Sequence, residues 1–256
     1  MDGSVGTRDS GLVYVLMTPM LMSAWVVMQG SHQLAALFNH VDWRTRELLD
    51  CATLALRACW ARSTFELERM SLLQLVLGIP PDSSEEHFRQ AAAGPSSVTV
   101  QRLRQRAILL PSQPAASSVM LVRRQLNLHA FTQVLEAWLL DPEKPFAFYG
   151  PGNFKVDSWL FFHEPDKQLP LVLFVSSKQW LGRQTVNAAK IMEEMKKDVF
   201  GYAQDERALF FDFVYVYVTD QVVQSVPTDE HVVVIPPHLH RAFYGSMQQL
   251  LDLVKM

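Results

Sequence analysis

Three charged residues have the types and positions that metal-dependent phosphodiester cleavage requires. The reaction needs carboxylates to hold one or two Mg²⁺ ions, and a lysine to position the attacking water and to steady charge on the phosphorane. Asp157 begins a predicted strand, Lys178 ends the next predicted strand, and Glu66 lies on a predicted helix upstream. Because the ends of adjacent strands are rigid, they can hold reacting groups with the precision that this chemistry demands.

The elements that position Asp157 and Lys178 are predicted to form an α/β unit from Phe146 onward. The nearly continuous apolar run before Lys178 is typical of a strand buried on both faces of a sheet. The predicted order is strand, strand, helix, strand, strand, helix, so that a hairpin leads into a crossover helix. The strands are Val156–His163, Leu169–Ser176, Ala208–Thr219 and His231–Ile235, and the helices are Gln184–Phe200 and Arg241–Val254.

The upstream part of the chain is predicted to be mainly helical. Apolar residues at helical spacing predict one helix from about Trp43 to Trp60 and another from about Thr64 to Leu77, which ends at Gly78. We therefore divide the chain into a helical N-terminal portion, residues 1–63, and an α/β domain, residues 64–256. An alternative is that the N-terminal portion is the remnant of an upstream domain.

Residues 91–118 are predicted to be an exposed, irregular insertion in the α/β domain, because glycine, proline and serine are frequent there. Arg102, Arg104 and Arg106 alternate with uncharged residues inside it. In a strand this period of two would place the arginines on one face. A helix is equally allowed because the run is short.

The chain resembles a known family at the residues that could carry the chemistry. Phe65-Glu66 on a helix, Asp157 on a strand, and the run LVLFVSSKQ with Lys178 and Gln179 resemble the restriction-endonuclease-like fold. They are similar to the nuclease-type C-terminal regions of Crinkler effectors and of trypanosomatid retrotransposon hot spot proteins. The resemblance extends from Thr64 to the end and depends mainly on Phe154–Tyr217.

This resemblance implies a central mixed sheet flanked by helices, and a hydrolase that cuts phosphodiester bonds of DNA or RNA with Mg²⁺ or Mn²⁺. It implies that Asp157 is the shared metal ligand, that Glu66 is the helical acid and a second metal ligand, and that Lys178 is the catalytic lysine. Members of the family commonly carry an upstream P-loop ATPase, and the sequence contains no G-x-x-x-x-G-K-[ST].

Ser176 departs from the family pattern, which has an acid two residues before the lysine. A serine hydroxyl is a poor Mg²⁺ ligand beside a carboxylate. Glu193 or Glu194 on the next predicted helix is an alternative source of the acid. The rival interpretation is a catalytically inactive nuclease-fold module that binds nucleic acid or a protein partner.

Nucleic acid is the expected partner, and Gln179, Arg183 and Lys190 are the candidate contacts. Arg183, Lys190, Lys196 and Lys197 give the helix after Lys178 a basic side, which suits contact with phosphates. A solvated helix face explains the same charges. The net charge of −3 excludes a bulk polycation, so binding would have to use a local surface.

Each candidate catalytic residue also has an ordinary structural interpretation. Asp157 follows a turn and could be a simple turn acid, Lys178 could surface at the end of an apolar strand, and Glu66 could be a solvated helix residue. Geometry has to decide between these interpretations.

The apolar segment Leu12–Met28 has 17 residues without a charge. A spanning helix needs about 20 apolar residues, and Pro19 interrupts this run. We therefore predict a buried strand and helix and no membrane partner. A membrane or signal segment and the stump of a truncated upstream domain are the alternatives.

Cys51 and Cys59 are predicted to be free thiols. Eight positions along one helix separate their Cα atoms by about 12 Å at about 1.5 Å per residue, and a disulfide needs less than about 7 Å. Free thiols fit a reducing intracellular compartment, the nucleus or the cytoplasm. No motif for a small-molecule cofactor is evident in the sequence.

Overall fold

A computed structural model describes the chain over the segments that form its central sheet and flanking helices. The described residues are 47, 50–51, 53–55, 57–59, 61–62, 66–78, 103–110, 119–121, 128–141, 147–149, 156–178, 184–200 and 210–244. The predicted strand and helix at Leu12–Met28 lie outside these residues.

The described strands follow one another along the chain with helices between them. They are β1 (Arg69–Ser71), β2 (Ala107–Leu109), β3 (Val119–Leu121), β4 (Ala147–Tyr149), β5 (Ser158–Phe162), β6 (Leu171–Lys178), β7 (Thr185–Val186), β8 (Asp212–Thr219), β9 (Val222–Val223) and β10 (Val232–Ile235). The described helices are α1 (within residues 47–62), α2 (Leu72–Leu77), α3 (Leu128–Leu140), α4 (Ala188–Val199) and α5 (His240–Tyr244).

A six-stranded mixed sheet with the order β10-β8-β6-β5-β4-β3 forms the centre of the fold. Strand β5 is antiparallel to its neighbours β4 and β6, whereas β6, β8 and β10 run parallel. Strands β6 and β8 pair over their full length, from Leu171 opposite Asp212 to Lys178 opposite Thr219. Both strands are almost entirely buried, which is why they read as continuous apolar runs in the sequence.

Short polar signals set the helix ends. Ser71 caps α2 through a reciprocal capping box with Gln74, and Asn187 caps α4 by accepting a hydrogen bond from the backbone amide of Lys190. Gly78 ends α2 with a φ of 62°, in the left-handed region. A Cβ there would lie 2.7 Å from a guanidinium nitrogen of Arg57.

Helices α3 and α4 cover one face of the sheet. Phe131 of α3 stacks on Phe174 of β6 with ring centroids 5.9 Å apart. From α4, Asp198 accepts a 2.7 Å hydrogen bond from the Tyr215 hydroxyl of β8. Helix α4 runs along the central strands, with Glu194 near Lys178 at the carboxyl end of β6 and Phe200 against Phe213 at the amino end of β8.

Helix α1 covers the opposite face of the sheet. Its Asp50 accepts a hydrogen bond from the Ser177 hydroxyl of β6. Ser177 lies on the face opposite to Phe174, because side chains alternate between the two faces of a strand. Arg57 of the same helix donates to backbone carbonyls of α2, at Leu75 and Val76, and to those of Ala242 and Phe243 in α5. The described part of the N-terminal portion therefore belongs to the same core as the sheet.

The helix predicted from about Thr64 to Leu77 is wrong in its first half. Residues 66–68 are not helical, and Arg69–Ser71 pairs as β1 with β2 in antiparallel register. Helix α2 begins only at Leu72, because the Ser71 cap fixes its start. The predicted end at Gly78 is confirmed.

The described part of the predicted exposed insertion, residues 103–110, contains both exposed and buried side chains. Leu103 and Ile108 are buried in the core, and residues 103–105 are helical. The Arg106 side chain is mostly buried. Its guanidinium lies 2.9 Å from a Glu164 carboxylate oxygen and 2.8 Å from an Asp212 oxygen, and these contacts compensate its charge. A buried arginine with two carboxylate partners is stable where an isolated one would not be.

The predicted order of elements from Val156 onward is confirmed, with the small strands β7 and β9 added to it. The predicted helix at Gln184–Phe200 begins later than expected, at Ala188, because Thr185–Val186 forms β7. Within the part of the chain that the structure describes, no helix combines the length and the apolar character needed to cross a membrane.

Candidate active site

Asp157 stands directly before β5 and is anchored on the neighbouring strand. Its carboxylate accepts a 2.6 Å hydrogen bond from the backbone amide of Ser177 in β6. This bond joins the start of one central strand to the end of the next. The position of the carboxylate is therefore set by the backbone of the sheet rather than by a loop.

Lys178 is the last residue of β6 and its side chain is 23% exposed. Its ammonium group lies 3.9 Å from a Glu194 oxygen on α4. Its charge also acts on Asp157, whose pKa it lowers. The structure thus brings the two residues singled out in the sequence to one end of the sheet, with Lys178 turned toward α4.

Glu47 of α1 is a site residue that the sequence analysis missed. It is buried, and its carboxyl group hydrogen bonds to Asp157. A signal for it exists in the sequence: Glu47 and Asp50 lie on the same helical face as Cys51 and Leu54, which are buried. Two acids on the apolar stripe of a helix have to meet polar partners in the fold.

Glu66 does not have the position that the resemblance implied for it. It is exposed, it lies outside any helix, and its φ is 53°. The interpretation of Glu66 as a helical acid is therefore wrong. The helical acid that meets Asp157 is Glu47, because α1 and not the segment around Glu66 packs over this end of the sheet.

Burial raises the pKa of Asp157 above its usual range. The charge of Lys178, the backbone amide of Ser177 and the hydrogen bond with Glu47 act in the opposite direction and offset part of this effect. A hydrogen bond between two carboxyl groups requires a proton on one of them. A cation bound between the two groups is the alternative to this proton when both carboxylates are ionised.

Asp198 of α4 belongs to the same electrostatic environment. Burial raises its pKa to about 6, while the charge of Lys178 and the hydrogen bond from Tyr215 lower it. The negative charges of Asp157 and Glu194 raise it further. Carboxylates on three elements thus act on one another around a single strand-end lysine.

Ser176, which replaces the acid of the family pattern, is fully buried. It lies opposite Tyr217 in the register of β6 and β8. The position two residues before Lys178 therefore supplies a hydroxyl inside the core and no carboxylate.

The candidate nucleic-acid contacts are only partly described. Lys190 is exposed, and its ammonium group pairs with Glu193 at 3.1 Å and with Glu194 at 3.2 Å. Gln179 and Arg183 lie outside the described residues. Lys190 thus presents its charge through an ion-paired cluster on the first turns of α4.

A cleft of about 860 Å³ lies at the opposite, amino end of β8 and is lined in part by Met192, Phe213 and His231. Three of its charged residues have partners within the cleft: Lys167 pairs with Asp212 at 2.7 Å, and Asp229 lies 3.2 Å from His231. The acid–lysine site is the stronger candidate for chemistry, because its acids and its lysine converge on one end of the sheet.

The donors around Asp157 suit a hard cation that keeps much of its hydration shell. Among the described residues, no three His, Cys, Asp or Glu side chains lie close enough together to enclose a metal ion. Mg²⁺ commonly binds through one or two carboxylates and completes its shell with waters and substrate phosphates. The buried pair of Glu47 and Asp157 fits this mode of binding.

Comparison with known proteins gives no family for this chain. No protein-family model matches it, and no curated protein or solved structure matches it either.

Proposed function

We propose that this protein is a metal-dependent nuclease with a restriction-endonuclease-like fold, acting on DNA or RNA. The observation that carries the proposal is the contact of Glu47 with Asp157 beside Lys178, at one end of the central sheet. The proposed fold is supported by the β5–β6 hairpin, the crossover helix α4, and β8 parallel to β6. Kinship with Crinkler effectors and retrotransposon hot spot proteins stays a prediction.

Glu47 compensates for Ser176 in this proposal. Protein side chains commonly contribute one or two carboxylates to a catalytic Mg²⁺ site. Asp157 supplies one from the sheet and Glu47 supplies the other from α1, whereas the resemblance implies Glu66 and the sequence offers Glu193 or Glu194 as an alternative.

Mg²⁺ or Mn²⁺, when bound by Glu47 and Asp157, supplies Lewis-acid stabilisation of the phosphate and favours ionisation of a bound water. Lys178 contributes a positive charge from the strand end, where it orients the attacking water and offsets charge on the phosphate. The water oxygen forms a bond to phosphorus, the phosphodiester P–O bond breaks, and the leaving oxygen takes up a proton.

A supercoiled-plasmid nicking assay with Mg²⁺ or Mn²⁺ tests the proposal. We expect wild-type protein to nick, and Asp157→Ala, Lys178→Ala and Glu47→Gln each to lose about 100-fold or more in rate, since each removes a group that acts on the reacting atoms. Glu66→Gln is the matched control, because it changes the same functional group at an exposed position and should retain the wild-type rate.

Two results would contradict this assignment. Absence of cleavage by wild type on plasmid and on single-stranded RNA would reject the nuclease. Cleavage that is lost in Glu66→Gln but retained in Glu47→Gln would keep the nuclease and reject the structural choice of the second acid.

A second candidate is a catalytically inactive nuclease-fold module that binds nucleic acid or a protein partner. The observation that favours it is the buried Ser176 in the acid position, together with the ion pair of Lys178 with Glu194. Binding to nucleic acid that is unchanged by Asp157→Ala, in a protein that does not cleave, would select this alternative.

A further inference from the structure

Glu194 lies between two lysines that come from different elements. One of its carboxylate oxygens is 3.9 Å from the ammonium nitrogen of Lys178, at the end of β6. The other oxygen is 3.2 Å from the ammonium nitrogen of Lys190, one turn earlier on α4. A single carboxylate thus bridges two positive charges, with one oxygen directed to each.

The bridge lies where the site meets solvent. Glu194 is 17% exposed and Lys178 is 23% exposed, whereas Lys190 is 51% exposed. A polyanion can therefore approach both lysines from outside. Ion pairs with an exposed partner are weak and are screened by salt, so another anion can replace the carboxylate.

A phosphate group, like the bridging carboxylate, presents two or more anionic oxygens to two separate donors. Lysine binds such a group as a point charge. Lys190 also lies in the first turn of a 12-residue helix, where the helix dipole favours an anion.

We propose that Glu194 holds the place of a nucleic-acid backbone phosphate between Lys178 and Lys190, and that substrate binding displaces it. This inference rests on the proposed nuclease function and identifies the substrate contact of the same site. Displacement of Glu194 releases Lys178 from its ion pair with α4 when the phosphate binds. Substrate binding therefore requires an anion that competes successfully with the Glu194 carboxylate.

Fluorescence anisotropy with labelled duplex DNA and single-stranded RNA, in EDTA so that no cleavage occurs, tests the inference. We expect Glu194→Gln to bind about 10-fold more tightly than wild type at low salt, because the internal competitor is removed. The slope of log K against log salt should steepen by about 1–2, since each freed lysine adds about 0.9 to the slope for duplex DNA.

Glu193→Gln is the matched control. Glu193 lies next to Glu194 and pairs with Lys190 at 3.1 Å, but it is 72% exposed. It should change affinity by less than about 2-fold, because exposed pairs contribute little. Adding Lys190→Met to Glu194→Gln should remove most of the gain in affinity.

Three outcomes would overturn the inference. Equal affinities of Glu194→Gln, Glu193→Gln and wild type would show that the carboxylate does not compete with phosphate. Loss of binding in Glu194→Gln would show that the carboxylate supports the site. If inorganic phosphate binds Glu194→Gln as tightly as DNA does, the position between the two lysines is a site for free phosphate and not for a nucleic-acid backbone.

The inference and the proposed nuclease can fail separately. Cleavage by wild type with no gain in binding for Glu194→Gln would reject the displaced carboxylate and keep the nuclease. Tighter binding by Glu194→Gln without cleavage in any variant would keep the phosphate contact and reject the nuclease.

Discussion

The two ends of the parallel strands β6 and β8 bury carboxylates in opposite electrostatic settings. At the amino end, Glu164 and Asp212 meet Arg106 and Lys167, so that acids and bases are balanced. At the carboxyl end, the acids outnumber the lysines among the described residues; the acids are Glu47, Asp157, Glu194 and Asp198, and the lysines are Lys178 and Lys190.

The pKa shifts follow this difference. Burial acts to raise the pKa of Asp212, but the hydrogen bond from Lys167 and the charge of Arg106 bring it below its usual range. Burial raises the pKa of Asp157 and of Asp198, and their partners offset only part of the effect. The same fold thus lowers the pKa of Asp212 at one end and raises the pKa values of Asp157 and Asp198 at the other.

This contrast distinguishes a structural ion network from a candidate functional site. Balanced charges satisfy one another, and breaking one of them should cost stability. Unbalanced acids reduce stability in the absence of a ligand, and proteins keep such groups where they bind or react.

The largest effect on stability is expected from Arg106→Met, which removes the central cation of the amino-end network. The free energy of unfolding should fall by about 3 kcal/mol, because Glu164 is left in a buried position with only the partly exposed Lys167 as partner. Urea denaturation at pH 7 measures it. Arg104→Met, at a neighbouring exposed position, is the control and should change stability by less than about 0.5 kcal/mol.

An equal loss in the Arg104 and Arg106 variants would break the comparison. It would mean that the paired charges at the amino end do not stabilise the fold.

A smaller effect of opposite sign is expected from Asp198→Asn. The pKa of Asp198 is about 6 in the folded chain and about 4 when unfolded, so wild-type stability falls as pH rises from about 4 to 6. The variant should be more stable than wild type by about 2 kcal/mol at pH 7.5. This gain should shrink toward zero near pH 4.

Urea denaturation at pH 4, 6 and 7.5 measures this pH dependence, with the exposed Glu193→Gln as control. A variant that is less stable than wild type at pH 7.5 would show that the carboxylate of Asp198 is satisfied at neutral pH. The contrast between the two ends would then be lost.

The smallest effect is expected from Lys167→Met. Its ammonium group is 2.7 Å from Asp212, but the side chain is 48% exposed, so the loss should be about 0.5 kcal/mol at pH 7. The loss should disappear in acid, since the lowered pKa of Asp212 contributes stability only where that carboxylate is ionised. It should also fall at high salt.

Urea denaturation at pH 7 and pH 3, at two salt concentrations, measures these small changes. Lys197→Met on α4 is the control, as its side chain is exposed on another element. A loss that persists unchanged at pH 3 would show that Lys167 acts through packing and not through its charge.

Local patterns in the sequence predicted much of the fold. The apolar run before Lys178 predicts the central strand β6, and an apolar stripe with Met192, Met195 and Val199 predicts α4, in which Met195 and Val199 are buried. Apolar periodicity alone predicts a helix where β1 lies, because it takes no account of the capping box at Ser71. A capping signal of this kind covers only a few residues, and over so short a stretch the spacing of apolar residues does not distinguish a strand from a helix.

The candidate site was predicted in part. Asp157 and Lys178 could be found because they flank adjacent strands of a hairpin, which brings their ends together regardless of the rest of the fold. The sequence does not place Glu47 beside Asp157, because the two residues are far apart along the chain and meet only when α1 packs on the sheet. Glu66 was chosen instead because it was nearer to the family pattern.

The sequence by itself determined the elements and the pairing of close neighbours, since side-chain periodicity and hairpin geometry are local properties. Only the tertiary structure decided which charged side chains meet. Arg106 pairs with Asp212, Glu47 meets Asp157, and Glu194 bridges Lys178 and Lys190. The physical reason is that Coulomb energy depends on distance and burial in space, and neither is set by spacing along the chain.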